Sequence, residues 1–312
     1  MNEFDLIARI APSLATNDQL VRGAGDDCAV LDLGLQHDLL LFKTDAVVEN
    51  VHFTSETPAV KVGRKALARP LSDIAAAAGK PVSCLVTVGL PKDFDPAYIL
   101  SFYSGLNELA RQYNVSVAGG ETTRTSGPMF ASIALLGTVP RSRVITRSGA
   151  QLGDAIFVSG ELGGSLAGRH LDFEPRLAEA QFLAENFTIH AMMDLSDGLA
   201  GDLRHILNAS KVGAELFSDS IPITRAAKLK ARNESSAKPP LLAALTDGED
   251  YELVFTLASK SAVAVLDAWN KQFPKTKLSC IGKITSQPGL RLRDKLGIRE
   301  LPAHGYTHFQ KS

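Results

Sequence analysis

The stretch VKVGRKALARPLSDIAAAAGK, Val60 to Lys80, constrains the fold more than any other part of the chain. Its alanines and leucines read as a helix that Gly79 ends, and Pro70 is expected to kink or break it. The run around Leu71 to Ala78 is so apolar that the helix belongs inside a core. Asp73 lies in that run, and a carboxylate buried there needs a partner.

Strand-like segments surround this helix. AVLDL (Ala29 to Leu33), DLLLFKTD (Asp38 to Asp45), SCLVTVGL, VSVAGG and FASIALLGTV alternate with helical ones. A short amphipathic helix is expected at Phe4, Ile7 and Ile10. Asp95 followed by Pro96 is an N-cap with a first-turn proline, and Ile99, Phe102, Leu106, Leu109 and Tyr113 continue it at helical spacing. Polar sequence from Arg141 to Asp154 changes the character of the chain before AIFVSG, so two units are expected, 1–140 and 141–312, both mixed α/β. The second half adds a helix after DLSDG, the strand YELVFTL, a helix from Ser261 to Phe273 and the strand LSCIG. Arg225 to Pro240, polar with two prolines, is expected to be a mobile surface loop.

Acidic residues recur at the strand ends and glycine turns: Asp26 and Asp27, Asp45, Asp73, Glu121, Asp194 and Asp197, Glu249 and Asp250. Taken singly, each reads equally as a turn residue or N-cap accepting backbone N–H groups. Asp197, just ahead of GLAGDL, fits a cap. Together, with no matching His or Cys, such carboxylates suit a hard cation, and Mg²⁺ is the usual one where phosphates complete the shell. That accounts for adjacent Asp26 and Asp27, which repel unless a cation neutralises them. Gly23 and Gly25 would let the backbone approach a phosphate closely.

Several classes fall away. Thirty-three Lys and Arg against 34 Asp and Glu leave no basic surplus for nucleic acid or an anionic membrane. No apolar run approaches the ~20 residues of a membrane span, and the N-terminus lacks a signal-peptide core. Cys28, Cys84 and Cys280 are few, odd in number and set in apolar sequence, as reduced thiols of a cytoplasmic protein are. No Walker-type GxxxxGK[ST], zinc-ligand spacing or GxSxG elbow occurs, and GELGGSLAG (Gly160 to Gly168) reads as a strand-to-helix turn. The residues alone thus describe a Mg²⁺-dependent, phosphate-handling α/β protein.

GAGDDCAVL, TDAVVENVHF, KALARPLSDIAA, AGGETT, ITRSGAQLGD, DLSDGLAGDL, DGEDYELVFT and GYTHF occur in this order along the chain. In that set it resembles the thiamine-monophosphate kinases, of the superfamily that includes aminoimidazole ribonucleotide synthetase and selenophosphate synthetase. The resemblance implies a two-domain fold of the aminoimidazole ribonucleotide synthetase type: the N-terminal strands of two subunits join in a dimeric barrel, and the active site lies in the cleft between the domains. It implies a cytoplasmic homodimer that uses ATP and several Mg²⁺ ions to phosphorylate thiamine monophosphate. Asp27, Thr44, Asp45, Asp73, Glu121, Asp194 and Asp197 match metal positions. Gly120, Glu121, Arg147 and Ser196 match nucleotide positions, and His52, Glu249 and Tyr306 match substrate positions.

The acceptor in that reaction is already an oxyanion, so positioning and charge neutralisation carry the chemistry and no general base is assigned. Arg147 can fork onto phosphate oxygens, Tyr306 can stack on thiamine, and Glu249 can attract its positive charge. The chain departs from the family at four places, one being AAAAG (Ala75 to Gly79) in place of a more typical AAMGA. Glu121 stands where Asp is usual, Pro70 where Asn is common, and Lys43 where a small Ser precedes TD. Lys43 either points away from the metals or substitutes for one. The competing readings are another ATP-dependent synthetase of the superfamily, against which GEDYEL and HF argue, and a non-catalytic sensor of thiamine phosphates and ATP.

Overall fold

The computed structural model describes residues 3–301, so Tyr306 and the GYTHF segment lie outside the described residues. The first half runs α1 (Glu3–Ile10), β1 (Leu20–Arg22), β2 (Ala29–Leu31), β3 (Asp38–Val48), α2 (Ala59–Ala76), β4 (Lys80–Leu90), α3 (Pro96–Gln112), β5 (Ser116–Arg124) and β6 (Phe130–Pro140). Its strands form one sheet in the order β1-β2-β3-β6-β4-β5, antiparallel except for β4 beside β5. β3 and β6 pair along their whole length, from Asp38 opposite Pro140 to Val48 opposite Phe130.

The second half runs β7 (Ala155–Ser159), α4 (Arg169–Asp172), α5 (Leu177–Asn186), β8 (Ile189–Asp194), α6 (Leu199–Ser210), β9 (Gly213–Phe217), α7 (Arg225–Asn233), α8 (Pro240–Thr246), β10 (Leu253–Leu257), α9 (Ala262–Gln272), β11 (Leu278–Thr285), β12 (Gly289–Asp294) and β13 (Gly297–Glu300). These strands make a second sheet, β13-β12-β9-β11-β7-β10-β8. β7 and β10 are buried along their whole length, as strands covered on both faces are.

α2 is the centre of the molecule. Fourteen of its eighteen residues are buried, against α3, β3, β4 and β6 from its own half and against α4, α5 and β8 from the other. The helix is continuous through Pro70, so of the kink or break expected there, the break does not occur. A proline in a helix interior costs about 3 kcal/mol, which burial of Pro70 among the surrounding elements offsets. The apolar core follows from this placement. One cluster runs from Leu41, Ile74 and Leu106 in the first half through to Phe157, Phe255 and Trp269 in the second. A further cluster lies on the other face of the second sheet, against α6.

The expected mobile loop at Arg225 to Pro240 is also corrected. Residues Arg225–Asn233 are helix α7, with the Thr224 hydroxyl accepting from the Ala227 N–H at 3.0 Å as its cap. Ala, Leu, Lys and Arg are good helix formers, and their propensity outweighs the overall polarity of the stretch. Asp95 caps α3 as its spacing predicts, accepting from Ala97 N–H at 2.8 Å.

Candidate active site

β3 alternates, and its period carries the first part of the site. Leu39, Leu41 and Val47 are buried toward α2, while Phe42 and Thr44 are exposed on the opposite face. Lys43 and Asp45 share the inner face with the leucines. α2 presents Lys65, Arg69 and Asp73, four residues apart and therefore on one stripe, with Ser72 beside them.

Asp27, Asp73 and Asp194 come from the loop before β2, from α2 and from the end of β8. All three are buried, and they offer carboxylate oxygens within 4.8 Å of one another. Each has a partner. The Lys43 ammonium donates to Asp73 Oδ1 at 2.7 Å, and the Ser72 hydroxyl to Asp194 Oδ2 at 2.6 Å. Arg147 donates to Asp27 Oδ1 through Nη2 at 2.6 Å and Nε at 3.1 Å, while its backbone N–H reaches Asp26 Oδ1 at 3.0 Å. The adjacent aspartates are thus both answered by Arg147. Asp45 joins the group through Arg69 Nη2 at 3.2 Å.

Burial pushes the Asp73 carboxyl well above its ordinary range, with the Asp194, Asp45 and Asp27 charges adding to it against Lys43. Burial, followed by the Asp27 charge, pushes Asp194 up to about 6. Lys43 stays charged despite its burial because Asp73 and Asp45 outweigh it. Four carboxylates here meet three cations, so negative charge is in excess. The donors are all hard oxygens, the set a divalent ion such as Mg²⁺ takes.

A cavity of about 270 Å³ adjoins this cluster, with His52, Arg69, Ser196, Asp197, Glu249 and Tyr251 among its lining. Arg69 connects the two, since it also holds Asp45. Glu249 and Tyr251 have φ of 53° and 51°, a left-handed conformation costly for such residues. Backbone bonds maintain it, from Glu249 N–H to Ser196 O at 2.7 Å and from Tyr251 N–H to Leu195 O at 2.8 Å. Fully buried Lys65 donates to both Glu249 carboxylate oxygens, at 2.9 and 2.7 Å, and to the His52 carbonyl at 2.9 Å. The His52 ring accepts at Nδ1 from the Val48 N–H at 3.0 Å, which leaves its other nitrogen to carry the proton.

The structure thus brings Asp27, Asp45, Asp73, Asp194 and Arg147 into one cluster, and His52, Ser196, Asp197 and Glu249 around the adjoining cavity. The N-cap of α6 is Gly198, not Asp197 as foreseen, and Asp202 in the first turn reaches back to accept from the Asp197 and Gly198 N–H groups at 3.0 and 3.1 Å. Thr44 and Glu121 lie elsewhere. Thr44 is on the outward face of the first sheet, 3.3 Å from the Ser132 hydroxyl. Glu121 is on exposed edge strand β5, in register with Thr87 on that same outward face. A Cβ at Gly120 would fall 1.8 Å from the Val86 carbonyl oxygen, so close strand packing already requires glycine there.

Sequence reasoning missed Lys65, Arg69 and Tyr251. The first two were readable from their four-residue spacing with Asp73. Tyr251, whose ring stacks on Phe173 with centroids 3.9 Å apart, gave no such signal.

Comparison with known proteins identifies the family and the fold. The AIR synthase related protein N-terminal domain matches residues 25–139 and the corresponding C-terminal domain residues 145–295. The thiamine-monophosphate kinase of Rhodopirellula baltica is 40% identical over 279 residues, 87% of this chain and 86% of that one. This chain belongs to the thiamine-monophosphate kinase family. The Escherichia coli K12 family member is 35% identical over 98% of both chains. A solved structure described as AaThiL complexed with AMPPCP and TMP superposes with a TM-score of 0.83 at 29% identity, covering 99% of this chain and 97% of that one.

Proposed function

We propose that this family member transfers the γ-phosphoryl group of ATP to thiamine monophosphate, giving ADP and thiamine diphosphate. The observation that carries the reading is the junction, through Arg69, of the buried Asp27, Asp73 and Asp194 cluster with the cavity bearing Glu249 and His52. One part of that junction suits a polyphosphate with its cations, the other a small cationic, partly aromatic substrate. The kinase names of the relatives and the AMPPCP and TMP complex support it.

Asp27, Asp45, Asp73 and Asp194 would hold Mg²⁺, with Asp197 at a further position; bound there, the metal supplies charge neutralisation at the transferring phosphoryl oxygens. Arg147 has donors left beyond those it gives Asp27 and turns them to ATP phosphates. Gly120 and Ser196 belong to the nucleotide side. Glu249, held by Lys65, faces the thiazolium charge, with His52 and Tyr306 as further substrate contacts. The acceptor phosphate attacks in line, so the chain positions reactants and excludes water.

The outward face of the first sheet supports a homodimer as the working form. Phe42, Val82 and Leu85 are exposed there beside Thr44 and Glu121, and β5 is an open edge. A second copy packed on that face, closing a barrel, would turn Thr44 and Glu121 inward, where they can serve as the remaining ligands of the set. In this reading, residues 1–140 bind ATP and Mg²⁺ and dimerise, 141–312 complete the cleft, and the enzyme works in the cytoplasm. Among the described residues no helix is long and apolar enough to cross a membrane.

A coupled assay tests the reaction. ADP and thiamine diphosphate should form in equal amounts only when thiamine monophosphate is present. Protein that binds both ligands with Mg²⁺ but releases no ADP is a sensor, and the kinase reading fails.

A further inference from the structure

We propose that the Lys43 ammonium is a built-in cation of the acidic cluster, occupying the place of one divalent ion, so that this chain binds one Mg²⁺ fewer than its carboxylates would otherwise hold. The inference rests on the phosphoryl-transfer reading of the site.

Lys43 is placed by strand period, not by chance of a surface rotamer. Its neighbours on β3, Leu41 and Val47, are buried, which directs its side chain toward α2 and into the cluster. Its Nζ lies 2.7 Å from Asp73 Oδ1, with side-chain exposures of 22% and 8% for the pair. An ion at 2.0–2.1 Å from that oxygen would bring a double positive charge against the ammonium in a setting where solvent screens poorly. Ammonium and metal therefore compete for Asp73 Oδ1.

The other cations of the cluster are placed on other carboxylates than Asp73. Arg69 serves Asp45 and the Ala46 carbonyl, and Arg147 serves Asp27, with donors left for ATP phosphates in the proposed reaction. Asp194 is held by the neutral Ser72 hydroxyl and not by a cation. Of the three carboxylates that lie within 4.8 Å of each other, Asp27 is paired with Arg147, Asp73 with Lys43, and Asp194 with a neutral hydroxyl. Being tethered, Lys43 needs no metal to compensate Asp73 and is present at every stage of turnover.

The test counts ions on the full-length, nucleotide-free protein by isothermal titration with MgCl₂, comparing wild type with Lys43→Ser, Lys43→Gln and Lys43→Arg. Lys43→Ser should bind one more Mg²⁺ per chain than wild type, and Lys43→Arg the same number. Melting in EDTA gives an independent readout. Both neutral variants should melt lower than wild type and regain the loss with excess Mg²⁺, whereas wild type and Lys43→Arg should respond little. Equal ion counts in wild type and Lys43→Ser, or a Mg²⁺ response in wild type as large as in both neutral variants, overturns the proposal. Neither readout depends on turnover. Failure of wild type to release ADP would remove the kinase reading without touching the ion count.

Discussion

Glu249 at the cavity and His205 on α6 (Leu199–Ser210) show how burial acts on single side chains. Lys65 has no exposure and spends its charge on Glu249, whose side chain remains 19% exposed at the cavity. Burial pulls the Lys65 ammonium below the ordinary lysine value, with Glu249 opposing. Lys65→Met keeps the volume and frees Glu249, so KM for thiamine monophosphate should rise about tenfold, equivalent to ~1.4 kcal/mol. KM for ATP should change little. Equal changes in both would remove Lys65 from the substrate side. His205 on α6 is held neutral: burial, followed by the Arg147 charge, brings it down to about 4. The unfolded chain takes up that proton from about pH 6.5 downward. Stability from this group is therefore complete above 6.5 and is lost as pH falls toward 4, by on the order of 2 kcal/mol after allowance for its partial exposure. His205→Gln should flatten that part of the melting-temperature profile, and an unchanged slope would show that other groups govern it.

At the scale of elements, the contact of α2 with α3 sets where the charged stripe of Lys65, Arg69 and Asp73 stands. The two helices meet at glycines on both sides. A Cβ at Gly63 would fall 1.8 Å from the Phe102 carbonyl oxygen, and one at Gly105 would fall 1.9 Å from that of Val60. Backbone cannot yield as a side-chain end can, so the helices must separate. Gly63→Ala gains about 1 kcal/mol of helix propensity, yet the overpacking should cost about 1–3 kcal/mol or more. We expect a net loss in urea denaturation together with reduced turnover, since Lys65, Arg69 and Asp73 move with α2. A stabilised Gly63→Ala variant would mean that the helices are not so tightly apposed. The α2 helix was legible in its alanines and leucines; its passage through Pro70 was not, because propensity is local while the packing that outweighs it comes from seven other elements.

The whole molecule shares one core between its halves, and its first sheet leaves one face open. Leu85 is 51% exposed on that face, in line with Phe42 and Val82. A charge there should cost an isolated monomer little, but it would be desolvated in a barrel between two copies. Leu85→Glu should shift a wild-type dimer to monomer in light scattering and lower activity with it, if Thr44 and Glu121 act from that face. A monomeric wild type would leave both residues outside the site.

What the sequence determined by itself was the kind of chemistry and the local elements: alternating strands and helices, a buried carboxylate that required a partner, and the motif order that marks the family. These are properties of spacing and residue type along the chain, where a few neighbours suffice. Only the tertiary structure decided which charges answer one another. That Asp73 belongs to Lys43, Asp27 to Arg147 and Glu249 to Lys65 depends on segments 30, 120 and 184 residues apart meeting across α2. The strength of a charge pair is set by distance and burial, and neither can be read from one strand of text. The pleat of the strand, in turn, sets Thr44 and Asp45, adjacent in sequence, on opposite sides of a sheet, and only the fold shows which side holds the acidic cluster.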